Sequence, residues 1–283
     1  MHRFASSDLN VDLIAAFLEA GIESGDVTDA THFFAFEIEE SDPRWSAVMA
    51  AGRKYRAIHS VLTSFSKSEL LKSDYVMLGN PVWYNGYPEP SDDFGFAEIT
   101  YDFSEYCREC GVGYRQKAPF RLKKVPTWGR RSTFQLNWIM EEYFVPDTLW
   151  RSIFEPFGIG CRSIVHSRTG AILDNVVQLD ISTIVDADLA DPRLSHIDIR
   201  TCPVCRRPRC EGWMDRGYSP RPAKTNAAMI KSTQYYGTGG QAGRLVFVSH
   251  ESYTKIADFR GVSFKACLPA FPDLPDLRLK GPR

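Results

Sequence analysis

The sequence predicts an α+β protein, a mixed or antiparallel sheet with flanking helices, tied together at two cysteine pairs. Three observations carry that expectation. Strand-like and helix-like segments intermingle along the chain, its C-terminal part closes with a compact strand–helix–strand unit, and Cys-x-x-Cys occurs twice, at Cys107/Cys110 and Cys202/Cys205. A chain of 283 residues makes one large domain or two modest ones, at the usual size of roughly 100–200 residues per domain. The turn-rich loop over 79–95 suggests the earliest boundary. The expected organisation is an N-terminal α/β subdomain over 1–95, a cysteine-stapled α+β domain over 96–270 and a tail over 271–283.

Taken in order, residues 9–21 read as a helix, with Leu13, Ile14, Phe17 and Leu18 on one face and Asp8 or Asn10 as its cap. The aromatic run His32–Glu40 alternates towards its end and reads as a strand. Asp42-Pro43 turns the chain, a helix follows from Trp45 to about His59, and Tyr75–Leu78 is a short strand. Gly79-Asn80-Pro81, Asn85-Gly86, Pro88 and Pro90 then mark a loop. Ala97–Phe103 reads as a strand leading into the first cysteine pair. Further on, Phe120–Leu122 reads as a strand, Thr133–Phe144 and Asp147–Phe154 as helices, and Ala171–Ile181 as a strand. Asp147 is a good helix cap, and Pro146 and Pro156 punctuate this stretch. The closing unit is a strand over Gly243–Ser249, a helix over Glu251–Phe259 and a strand over Val262–Cys267.

Composition narrows the function classes. A hydrophobic fraction of 43% with 24% charged residues is that of an ordinary globular protein. The net charge of −1 supplies no global field towards nucleic acid or an acidic membrane. Val11–Ala20 is interrupted by Asp12 and Glu19 and reads as an amphipathic helix rather than a leader. No stretch approaches the roughly 18 apolar residues that span a bilayer, so no membrane association is expected. Seven cysteines without a secretory signal point to the cytoplasm, where paired cysteines serve metal or redox chemistry rather than structural disulfides.

The spacing of those cysteines carries the chemistry. In Cys-x-x-Cys a tight turn aims both thiolates at one centre and leaves backbone amides to bond the sulfurs. Gly111 and Gly113 follow the first pair, where a positive backbone dihedral is needed, and Pro203 lies inside the second. Two such pairs predict a structural Zn2+ ion held by Cys107, Cys110, Cys202 and Cys205, closed to substrate because all four positions are protein thiolates. Two alternatives stand beside it. The 91 residues between Cys110 and Cys202 leave room for a local site from Cys202, Cys205, Cys210 and His196. A redox pair has the same spacing, though neither pair opens a helix after a strand. Cys161 and Cys267 stand in apolar surroundings and read as buried thiols.

Other features are weaker. Gly237-Thr-Gly239-Gly-Gln-Ala242 matches part of a dinucleotide fingerprint but precedes a strand, so it reads as a flexible loop or a hairpin turn. Arg115–Arg131 holds seven cations and no acid, with Phe120 and Trp128 interleaved, and Arg206, Arg207 and Arg209 flank the second pair. Basic side chains beside stacking aromatics are what a nucleic-acid binder requires; a surface steered to an acidic protein and a plain solvated face are the other readings. The six histidines are scattered, and Glu141-Glu142 on a helix would point different ways. No catalytic constellation emerges, so the chain is expected not to be an enzyme.

Cys107-Arg-Glu-Cys-Gly111, Cys202-Pro-Val-Cys205 and the closing Leu245–Ser249 through Gly261–Phe264 together resemble the double-CxxCG family of bacterial, myxobacterial-type toxin-immunity proteins. The resemblance covers about the C-terminal two-thirds of the chain, and Arg206 departs from it where the second motif would carry glycine. It implies a cytoplasmic, non-catalytic module that binds and neutralises a cognate protein toxin, with the metal holding the scaffold. The alternative is a zinc-containing nucleic-acid-binding protein using Arg115–Arg131.

Overall fold

The computed structural model describes residues 2–6, 11–23, 34–61, 63–79, 86–189, 194, 197–211, 218–237 and 242–267. The tail expected over 271–283, and His196, lie outside the described residues. The chain forms two compact units. One comprises Met1–Ser64 with Arg193–Ile197 and Gly212–Tyr218; the other comprises Phe65–Pro192, Asp198–Glu211 and Ser219–Arg283.

In the first unit β1 (His2–Ser6) is flanked by β2 (Phe34–Ile38) and β3 (Ile58–Val61), antiparallel to both. Helices α1 (Val11–Glu19) and α2 (Trp45–Lys54) complete it. Leu13 and Phe17, four residues apart on α1, are buried with Phe4, Phe36, Ile38 and Val48, the spacing that puts an apolar stripe on one helix face. Phe4 stacks on Phe36 at 5.5 Å and Phe17 meets Phe36 edge-on at 4.9 Å. The helix expected to run to about His59 stops at Lys54. Arg56 turns left-handed (φ 54°), and the Ala57 N–H reaches back to the Gly52 carbonyl at 2.9 Å, a helix-ending bond that releases the chain into β3.

The second unit begins with α3 (Lys67–Leu70) and β4 (Tyr75–Leu78), followed by α4 (Phe96–Thr100) and the short hairpin strands β5 (Tyr101–Asp102) and β6 (Arg115–Gln116). Next come β7 (Arg121–Leu122), β8 (Phe144–Val145), α5 (Asp147–Leu149) continued by a π-helical turn, β9 (Gly160–His166) and β10 (Ile172–Asp180). The chain goes on through β11 (Ile184–Val185), β12 (Ala187–Asp188), β13 (Asp198–Thr201), β14 (Pro208–Glu211) and β15 (Arg221–Pro222). It closes with β16 (Met229–Tyr236), β17 (Gly243–Ser249), α6 (His250–Ile256) and β18 (Phe264–Ala266).

The large sheet has the order β13-β14-β16-β17-β4-β18, with β11 also on β16. Most pairings are antiparallel; β14 and β11 run parallel to β16. The mixed sheet and its helices are the α+β arrangement expected. β4 is buried at every position, as a strand covered on both faces must be. It is gripped by β17 and β18 in the closing strand–helix–strand unit, so a segment assigned by sequence to an N-terminal subdomain lies inside the main sheet. A second sheet, β7-β9-β10-β8, carries the β9–β10 hairpin, of which the sequence reading contained only β10.

Two expected elements differ. Residues 97–100 are helical, since Phe96 and Thr100, four apart, are the buried pair and Ile99 is exposed. Thr133–Phe144 is no helix. Four consecutive buried residues, Thr133–Leu136, cannot share one helix face. Instead Phe134 and Phe144 exchange backbone hydrogen bonds at 3.0 Å each and stack their rings at 5.3 Å, while the chain reverses between them through Trp138 at φ 67°. Tyr236 stands opposite Gly243 across antiparallel β16 and β17, and residues 238–241 between them lie outside the described residues.

Candidate metal centre

Each cysteine pair sits in a loop between two antiparallel strands. The first lies between β5 and β6, which pair Tyr101 with Gln116 and Asp102 with Arg115. Its turn is closed by Cys107 N–H to the Val112 carbonyl (2.9 Å) and Gly111 N–H to the Cys107 carbonyl (2.8 Å), with Gly111 at φ 71°. The second lies between β13 and β14, closed the same way by Cys202 N–H to the Arg207 carbonyl (3.1 Å) and Arg206 N–H to the Cys202 carbonyl (3.0 Å). Arg206, at φ 61°, takes the left-handed position that Gly111 takes in the first turn. The two knuckles are therefore the same local structure built from different residues.

The fold brings the two turns together across 95 residues of sequence. Cys107 Sγ lies 3.8 Å from Cys202 Sγ, and Cys110 Sγ lies 3.5 Å from Cys205 Sγ. All four sulfurs fall within 4.8 Å of one another. A tetrahedral ion with metal–sulfur bonds of about 2.3 Å spaces its sulfurs about 3.8 Å apart, so the cluster fits one ion. The separations are far beyond the roughly 2.05 Å of a disulfide. Cys107, Cys110 and Cys202 are buried and Cys205 is half-buried, packed against Val112, Tyr235 and Ala242. Four cysteines are thus positioned to bind a metal ion, as the sequence predicted.

Electrostatics divide the four thiols. Burial pushes the Cys110 thiol up to about 12. The backbone N–H of Cys205 bonds to the Cys202 sulfur and, with that of Val204, brings its thiol down to about 7 despite burial. The cluster therefore pairs a sulfur whose thiolate form is favoured by backbone amides with one whose thiolate form is disfavoured by burial.

The remaining candidates are placed elsewhere. Cys210, on β14, is buried and belongs to no metal-ligating group among the described residues; burial raises its thiol to about 11. Cys267 is a buried core thiol, whereas Cys161 is half-exposed. Among the cations of the basic segment, Arg115 pairs with Glu105 at 2.8 Å, Lys123 with Glu89 at 2.9 Å, and Arg121 bonds the Ser167 carbonyl. Phe120 is fully buried, and Trp128 packs on Phe134 and donates to the Asn175 carbonyl at 3.1 Å. Phe120 is therefore not presented for base stacking, and Trp128 is half-buried against the core.

Two arrangements were not legible in the sequence. Arg207 and Arg209 bond backbone carbonyls around the first knuckle, Arg207 to Glu105 at 2.8 Å and Arg209 to Cys110 at 3.4 Å. Their flanking of a cysteine pair is the available signal in the sequence. The second is a buried ion pair, Lys231 to Glu142 at 2.7 Å, extended through Gln178 to Gln116. Glu142 is on the return limb of the Phe134–Phe144 turn, not on a helix, while Glu141 accepts from the Arg244 N–H at 2.9 Å. The two carboxylates serve different elements.

No protein-family model, curated protein or solved structure matches this chain. No helix among the described residues is long and apolar enough to cross a membrane.

Proposed function

We propose that the chain is a cytoplasmic, non-catalytic protein-binding module of the immunity type, stapled by Zn2+ at Cys107, Cys110, Cys202 and Cys205, which neutralises a cognate toxin by occluding it. The observation that carries the metal's role is closure. Four converging thiols fill a tetrahedral ion's positions, so a bound zinc has no place for substrate and serves the scaffold. Support for a protein partner over nucleic acid comes from the basic segment, where Phe120 is buried, Trp128 is half-buried against the core, and several cations are bound within the chain.

Metal content comes first. About one zinc per chain is expected, lost in both Cys107→Ser and Cys202→Ser; zinc that survives Cys107→Ser but not Cys202→Ser would return the site to a local one. Co-expression with the cognate toxin is then expected to give a nuclease-resistant complex and to spare the cell. Lys117, Lys124, Arg130 and Arg131 are exposed and favour the second reading. Salt-dependent binding to generic DNA or RNA, lost on reversing Lys123, Lys124, Arg130 and Arg131, would replace the immunity reading with nucleic-acid binding.

A further inference from the structure

A divalent ion among four thiolates carries two negative charges in excess, and three of these thiols are buried. Such a charge is costly away from water unless cations or hydrogen-bond donors lie close by. The second hairpin sends two arginines to the backbone of the first knuckle. From the residue two beyond Cys205, Arg207 crosses to the first hairpin, where its Nη1 donates to the Glu105 carbonyl at 2.8 Å and more weakly to the Val112 carbonyl at 3.4 Å. Its other terminal nitrogen lies 3.6 Å from Glu105 Oε2, the same carboxylate oxygen that Arg115 holds at 2.8 Å. Arg209 reaches the carbonyl of Cys110 itself.

The first hairpin is shaped to receive the first of these side chains. Gly113 stands at φ 105°, and a Cβ there would lie 2.1 Å from Arg207 Nη1 and 2.3 Å from the Glu105 carbonyl oxygen. The guanidinium occupies the space that any side chain at 113 would need. A planar fork reaching two carbonyls and a carboxylate is a task for arginine rather than lysine.

We infer that Arg207 and Arg209 are positioning residues for the metal, a charge-balancing clamp that joins the two knuckles and sets how tightly and how long the four thiolates hold the ion. This rests on the metal reading above. The clamp spans the same two hairpins as the ion.

The test uses the zinc-loaded full chain in competition with a chromophoric chelator, reading the dissociation constant and the release rate. The double variant R207Q/R209Q removes charge and keeps bulk. It is expected to bind zinc about 10–100-fold more weakly, the usual effect of losing groups that support metal ligands, with correspondingly faster release. R207K/R209K keeps the charge and is expected to recover part of that loss. Cobalt-loaded R207Q/R209Q should keep the thiolate-to-metal absorption of wild type, which separates weaker holding from a lost ligand. Should the double variant not fold, R207Q alone is read in the same way. Wild-type affinity and release rate in the glutamine variant would overturn the clamp while leaving the metal site standing. A wild-type chain that takes up no zinc would instead overturn the metal reading itself.

Discussion

At Arg206 the backbone takes a left-handed conformation (φ 61°) that its counterpart Gly111 (φ 71°) adopts without a Cβ. For an L-residue with a side chain that region costs roughly 1–2 kcal/mol. Arg206→Gly is therefore expected to leave metal binding intact and to change stability by less than about 1 kcal/mol, because glycine's looser unfolded chain offsets the relief. Gly111→Ala is expected to destabilise by about 1 kcal/mol; chemical denaturation of both zinc-loaded variants checks the pair. Proton competition belongs to this scale too. Binding strips protons from the thiols, and Cys110, held up to about 12 by burial, keeps its own throughout the neutral range when the metal is absent. Cys202, brought down to about 7, regains its proton as the pH falls below neutrality. Zinc affinity should therefore rise with pH, and a titration from about pH 6 to about pH 8 should show protons released on uptake. The ligands themselves were legible because Cys-x-x-Cys is a local pattern. Arg207 and Arg209 were not, since which carbonyls an arginine meets depends on a hairpin about a hundred residues away.

Between elements, the buried contact with most at stake is Lys231 on β16 with Glu142, each side chain 9% exposed. Burial pushes the Glu142 carboxyl up against the opposing pull of Lys231, and Gln178 donates to its second oxygen at 2.8 Å. Removing one partner strands the other away from water. Lys231→Met or Glu142→Leu alone is expected to cost about 3–5 kcal/mol, and the double substitution clearly less than the sum; urea unfolding of the three variants measures the coupling. The same limb shows why some elements escaped the sequence reading. Thr133–Phe144 has enough apolar residues for a helix, but their burial follows the Phe134–Phe144 pairing, a contact no periodicity encodes. β16 shifts register between Lys231 and Tyr235, where Ser232 Oγ accepts from the Leu245 N–H, and a shifted strand has no clean alternation to read. Strands with a plain apolar run, such as β4 and β17, were found where they were expected.

Across the whole molecule, all four cysteines fall within one of the two compact units. Metal linkage acts on the unit that binds the metal. Removing zinc with a chelator should therefore lower the thermal transition of that unit, as calorimetry on the full chain would read. Mixed helix and sheet was evident from the sequence, whereas the division was not. The loop over 79–95 carries stronger turn signals than the stretch around Ser64, yet β4 precedes that loop and pairs with β17 and β18 from the far end of the chain. Long-range pairing outweighs local punctuation in deciding where a unit begins.

The 95 residues that separate Cys107 from Cys202 also impose a timetable. A ribosome adding about 5–20 residues per second needs roughly 5–20 s to make that stretch. For that interval the nascent chain displays one cysteine pair with no opposite pair, a half-finished chelate open to other metals and to oxidants. On the metal reading proposed above, newly made chains should thus be more vulnerable to thiol oxidation than mature ones.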